Sequence, residues 1–208
     1  MKKIAVIVAM ESEYNLVRKA LGDRPEINLS LCGIGKVNAA IGATSIIERF
    51  HPDAIISTGV AGALDGRLGP LDVIAAERVA YHDVWCGPGT QQGQVQGFPR
   101  YFEADKELYA KAIALQASGL QIKGGLQISG DRFITAADLP ALRSLYPDAL
   151  SVDMESGALA QTCYRYGIPF ISFRIISDNA DEGSYTDFWG QASEKSFTVL
   201  ESFLNSLT

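Results

Sequence analysis

The chain has 208 residues, 47% hydrophobic and 20% charged, a composition that excludes a disordered or fibrous protein and is large enough to bury a substantial core. A formal net charge of −6 excludes an electrostatic grip on nucleic acid, which needs Lys and Arg against phosphates, and no polybasic run suits an acidic membrane. Cys32, Cys86 and Cys163 lie far apart without a C-x-x-C pair, so neither a disulfide framework nor a zinc knuckle is expected.

Lys3 to Ala9 is a continuous apolar, β-branched run, the pattern of a strand buried on both faces. The lysines before it resemble the start of a signal peptide. The run stops at Glu11, however, and no small-residue cleavage site follows. No apolar stretch reaches the ~20 residues of a membrane helix, and the scattered cysteines predict a cytoplasmic protein. Met10 to Leu21 has helical spacing and ends at Gly22-Asp23. Ile27 to Cys32 is a second strand, leading through GIGK into a helix from Lys36 to Phe50. The short strand AIIST precedes a glycine-rich loop, GVAGALDGRLG, and a further strand covers Asp72 to Tyr81.

His82 to Phe102 reads as a long loop rich in Gly, Pro and Gln, uncommon unless it has a task. A helix from Asp105 to Ala117, a strand from Leu126 to Ser129 and a short helix from Leu139 to Leu145 follow. The strand Ala149 to Val152, a helix from Glu155 to Tyr166, the strand Pro169 to Ser177 and a helix from Gln191 to Leu207 complete the chain. This alternation predicts one α/β domain over residues 1–208 with a largely parallel sheet.

Several predicted strands end at an acid or a glycine turn: Ala9 before Glu11 and Glu13, Thr58 before Gly59, Val152 before Asp153 and Glu155, Ser177 before Asp178. Ligands of open α/β sheets sit beyond the carboxyl ends of strands, so these tips are expected to converge. Singly, each acid also reads as a cap or a first-turn residue favoured by the helix dipole. In SVDMESGA, a spacing of two directs Asp153 and Glu155 to one face of a strand but apart on a helix. Their partnership therefore depends on where the strand ends.

GIGKVNAA invites a dinucleotide reading, but its third glycine is replaced by Ala39 at an offset, and AIIST does not end in the acid that would hold a ribose. The two glycines do imply backbone brought close to something small. The GVAGALDGRLG loop lacks the G-K-[ST] of a P-loop, and no G-x-S-x-G occurs. His82 and Asp83 have no supporting His or Cys cluster, which favours a loop ion pair or hydrogen bond over a metal site.

Seven segments in order, AMESE (9–13), GIGKVNAA (33–40), STGVAGAL (57–64), YHD (81–83), SGDRFI (129–134), VDMES (152–156) and RIISDNAD (174–181), resemble the methylthioadenosine/S-adenosylhomocysteine nucleosidases of the nucleoside phosphorylase superfamily. The resemblance implies a three-layer α/β/α sandwich around a central mixed, largely parallel sheet, and a cofactor-free, homodimeric hydrolase whose partner is a small-molecule nucleoside. It assigns Glu13 as general base to the attacking water and Asp178, beside Ser177, as the acid at purine N7. Glu155 would bind the ribose hydroxyls over Met154, with Arg174 orienting the carboxylates. Phe133 would stack on the base and the Ile134 backbone read its edge. Met10, Ile34 and Phe188 would surround the 5′ substituent. Val60 departs from the serine usual in the glycine turn, and no basic residues suited to phosphate stand near Gly59 or Glu13, which argues against phosphorolysis. A futalosine hydrolase or another purine nucleosidase keeps the same chemistry with a different nucleoside; a non-catalytic binding protein would not need all three acids.

Overall fold

The computed structural model describes residues 3–115, 122–179, 182–191 and 197–207. The tail of the helix expected to reach Ala117, the 192–196 part of the expected last helix, and Ala180 and Asp181 of the last motif lie outside them. Strands are β1 (Ile4–Val8), β2 (Ile27–Leu31), β3 (Ala54–Ala63), β4 (Val73–Tyr81), β5 (Phe102–Glu103), β6 (Ile122–Ser129), β7 (Ala149–Asp153) and β8 (Phe170–Asp178). Helices are α1 (Glu11–Leu21), α2 (Lys36–Phe50), α3 (Lys106–Ala114), α4 (Leu139–Leu145), α5 (Ser156–Tyr166), α6 (Glu182–Gln191) and α7 (Thr198–Asn205).

The mixed, largely parallel sheet is covered on both faces. In β1 the alternation divides the core: Ile4, Val6 and Val8 face a cluster with Val17 of α1, Leu108 of α3 and Phe203 of α7. Ala5 and Ile7 face the opposite cluster, with Ala39 and Ala43 of α2 and Leu159 of α5. Phe173 of β8 stacks on Phe203 with ring centroids 5.2 Å apart, fastening α7 to the sheet.

The first half of the glycine-rich segment after AIIST, GVAGA, is not a loop, whereas the residues from Leu64 to Gly69 are. GVAGA continues β3 as a ten-residue strand, with a register shift between Ala61 and Gly62 opposite β8. Small residues and the bulge let the strand bend, and its end pairs antiparallel with β7 at Gly62↔Val152 and Ala63↔Ser151. Because β3 pairs with β8, β8 with β4, β4 with β6 and β6 with β7, this last contact closes part of the sheet into a ring. The sheet is thus not the fully open one that the strand-tip argument assumed. Closure brings the ends of β3, β7 and β8 together, next to the turn that follows β1.

Candidate functional site

Glu13 sits in the first turn of α1 and turns its carboxylate back over the end of β1. Its Oε2 accepts hydrogen bonds from the Ala9 and Met10 N–H groups at 2.9 and 3.0 Å, and its Oε1 accepts one from the Val60 N–H at 2.9 Å. The residue is 1% exposed. Burial raises its pKa above the ordinary carboxylate value, with Arg174 and the three N–H donors pulling the other way. Gly59 makes this packing possible. Its φ is +137°, and a Cβ there would lie 2.2 Å from Glu13 Oε1 and 2.8 Å from the Arg174 guanidinium.

Arg174, in the middle of β8, is 1% exposed. Its Nη2 lies 2.7 Å from Asp153 Oδ2 and 3.8 Å from Glu155 Oε2, and it donates to Ser57 Oγ at 2.7 Å. β7 ends at Asp153, which also accepts the Ser156 N–H at the start of α5. Glu155 comes after the turn, at the non-helical position before α5. The strand therefore ends between the two acids, and both reach the same guanidinium. Burial first, and then the Asp153 charge, push the Glu155 carboxyl up to about 7, against the opposing pull of Arg174 and the Gly35 N–H.

The glycines of GIGK also find their partner. Gly35, at φ +92°, donates its N–H to Glu155 Oε1 at 3.0 Å, and Lys36 N donates to Asp131 Oδ1 at 2.6 Å. The N-terminus of α2 is thus occupied by two carboxylates of the chain itself, the same physics that seats a phosphate in dinucleotide-binding folds. Asp83 is bound to Lys36, as an ion pair at 2.8 Å.

Glu13, Asp153 and Glu155 border a cleft that opens to solvent. Met10, Glu13 and Ile34 line it together with Met154 and Glu155, and with Phe133, Ile134, Ser177 and Asp178. Asp178 ends β8, is 3% exposed, and accepts the Ser177 hydroxyl at 2.7 Å. Phe133 is 40% exposed, an unusual exposure for a large aromatic side chain at the cleft wall. Arg174 lies beneath the cleft and acts on it through the carboxylates.

Phe188 is elsewhere. It is buried at 4% exposure in the core between α6 and the sheet, edge-on to Trp189 at 5.2 Å, because its side of α6 faces inward. Tyr185, one helical turn earlier, takes the cleft position instead. Its ring lies edge-on to Phe133 at 5.6 Å and its hydroxyl is 3.6 Å from Met10 Sδ. The sequence reading missed α6, whose Gly, Ser, Thr and Asp are weak helix formers. The spacing of Tyr185, Phe188 and Trp189 was the available signal.

The family model of the phosphorylase superfamily matches residues 21–205. A 5′-methylthioadenosine/S-adenosylhomocysteine nucleosidase of Staphylococcus haemolyticus is 37% identical over 98% of this chain and 100% of its own length. The chain belongs to this nucleosidase family of the phosphorylase superfamily. The family's Neisseria meningitidis member, solved with methylthio-immucillin-A, superposes with a TM-score of 0.91 at 34% identity, covering 99% of this chain and 100% of that one. A futalosine hydrolase of Helicobacter pylori has the same fold at a TM-score of 0.87 and 28% identity, covering 99% and 96% of the two chains.

Replacing Arg174 with Leu strands Asp153 as an unpaired buried charge, and a loss of about 3–5 kcal/mol is expected by urea denaturation. Gly59→Ala is expected to lower the melting temperature through about 1–3 kcal/mol of backbone strain, with further loss from the collision with Glu13. An unchanged melting temperature would show that the turn has room for a methyl group.

Proposed function

We propose that residues 1–208 act as one domain that hydrolyses the N-ribosidic bond of 5′-methylthioadenosine and S-adenosylhomocysteine, releasing adenine. The observation that carries this reading is the meeting of three buried carboxylates, Glu13, Glu155 and Asp178, around one cleft with an exposed aromatic face. Breaking the bond leaves positive charge on the sugar and negative charge on the departing base, so carboxylates at the sugar and an acid at the base assist opposite ends of one transition state.

Glu13 removes a proton from the attacking water, held in place by its three N–H donors. Glu155 accepts the ribose hydroxyls above Met154. Asp178, steadied by Ser177, supplies a proton or hydrogen bond to N7 of the purine, while Phe133 stacks on the base and Ile134 offers its backbone. Met10, Ile34 and Tyr185 enclose the 5′ substituent. Water rather than phosphate is favoured as nucleophile: the nearby arginines, Arg132 and Arg174, are paired with Asp138 and with Asp153 and Glu155. Val60 adds an apolar wall where a hydroxyl would have suited an anion.

A homodimer fits the surface. Val37 and Ile41 of α2, Trp85 of the following loop region, and Tyr164 and Tyr166 of α5 are between 47% and 69% exposed. α2 and α5 also border a shallow groove, which a second copy would cover. A cytoplasmic location agrees with the described helices, none of which is long and apolar enough to cross a membrane.

Purified protein should release adenine from both thio-nucleosides without phosphate, whereas strict phosphate dependence would identify a phosphorylase. A higher kcat/KM for futalosine would move the substrate assignment to that nucleoside. Glu13→Gln and Asp178→Asn should each lower kcat by about 10²–10⁴ in the same assay, the usual contribution of acid–base assistance. Glu13 must be ionised to accept a proton, and its pKa is raised. The acid limb of kcat/KM should therefore fall with decreasing pH through a midpoint above the 4.5 of an ordinary glutamate. A pH–rate profile showing its midpoint at or below that value would remove Glu13 from the role of base.

A further inference from the structure

Outside the cleft, one polar cluster ties together three turns that follow different strands. Asp83, after β4, accepts the Lys36 ammonium at 2.8 Å and the Asp131 N–H at 2.9 Å through the same oxygen, Oδ2. Asp131, after β6, returns its own Oδ1 to the Lys36 backbone N–H at 2.6 Å, with Oδ2 3.8 Å from the ammonium. Lys36 Nζ also lies 5.4 Å above the Tyr81 ring. The contacts form a closed triangle of Lys36, Asp83 and Asp131, in which every pair is bonded.

Two of the corners, Lys36 and Asp131, lead into the cleft. The peptide N–H immediately before Lys36 is the Gly35 donor to Glu155. Two residues after Asp131 stands Phe133, followed by Ile134, both in the cleft lining. Burial disfavours the Asp83 carboxylate, but the Lys36 ammonium and the Asp131 N–H hold its pKa below the usual range, so it is charged at neutral pH. The side chains are 24%, 27% and 47% exposed for Lys36, Asp83 and Asp131, which partly screens the charges. Their reciprocal geometry still fixes one turn against the other.

We propose that Asp83 and Lys36 are positioning residues for nucleoside binding: their latch with Asp131 sets the distance between the turn that holds Glu155 and the segment that carries Phe133 and Ile134. This rests on the reading of Glu155 as the ribose ligand and Phe133 as the base platform. A nucleoside spans the two, so it is gripped only when both ends keep their separation. The latch touches neither the attacked carbon nor the leaving nitrogen. Its loss therefore weakens binding of the whole substrate more than it slows the chemical step.

The test uses the full chain carrying Asp83→Asn, Lys36→Met or Lys36→Arg. Steady-state kinetics on 5′-methylthioadenosine should show KM raised about 10- to 100-fold for the first two, the scale of one charge-assisted hydrogen bond, with kcat changed less than about threefold. Lys36→Arg, which keeps the charge, should recover part of the KM. Hydrogen exchange of peptides covering 33–38 and 129–135 should accelerate in both turns together in Asp83→Asn. KM within about twofold of the parent for Asp83→Asn and Lys36→Met, or exchange that quickens in one turn only, would overturn the latch, as would a fall in kcat as large as the rise in KM. If the parent protein releases no adenine, the proposed function fails by itself, and the coupled exchange still decides the latch.

Discussion

The buried guanidinium of Arg174 is the interaction on which the site depends. Three carboxylates, those of Glu13, Asp153 and Glu155, lie around it in a region nearly free of solvent. Without a central cation such a group would repel itself and take up protons. With it, Asp153 forms a direct ion pair, and Glu155 and Glu13 feel a weaker attraction that offsets part of their burial. Burying an ion pair gives little net stability, and replacing one by well-packed apolar groups is often neutral or favourable. The arrangement is better understood as a means of holding two acids, unevenly compensated, at the wall of the cleft.

The fold supplies the remaining restraint through main-chain donors at the bend of one strand and before two helices. Val60 N at the bend of β3, Ala9 and Met10 N before α1, and Gly35 N before α2 all point at carboxylates. These positions exist because β3 bends at its bulge and closes the ring with β7, turning strand ends toward a common point. Gly59 is needed there for two separate reasons, its backbone angle and the space that the Glu13 carboxylate fills. Sequence, bend and carboxylate position are thus one constraint.

Much of this was readable from residue pattern, with specific failures. The apolar run of β1 and the helical spacing of α1, α2 and α5 are strong periodic signals, and the acids after β1, β7 and β8 were visible as strand-end residues. GVAGA read as a loop because glycine is a local sign of turns, whereas here pairing with β8 and β7 on either side overrides it. α6 escaped notice because its composition is weak and its support is tertiary, from the aromatic contacts of Tyr185, Phe188 and Trp189. Phe188 was assigned to the region of the 5′ substituent by family resemblance alone, which does not encode which side of a helix faces inward. What Gly33-Ile34-Gly35 approached could not be known without Glu155, 120 positions away.

The hold on Glu13 at Val60 has a consequence for how this site tolerates change. The donor is a peptide N–H, which nineteen of the twenty genetically encoded amino acids supply and only proline lacks. Inheritance can therefore alter the side chain at position 60, and with it the bulk and polarity of the cleft wall, while the bond to the carboxylate persists. Chemistry written in the main chain is shielded from most single-codon substitutions at that residue. The wall beside it is free to drift toward new ligands.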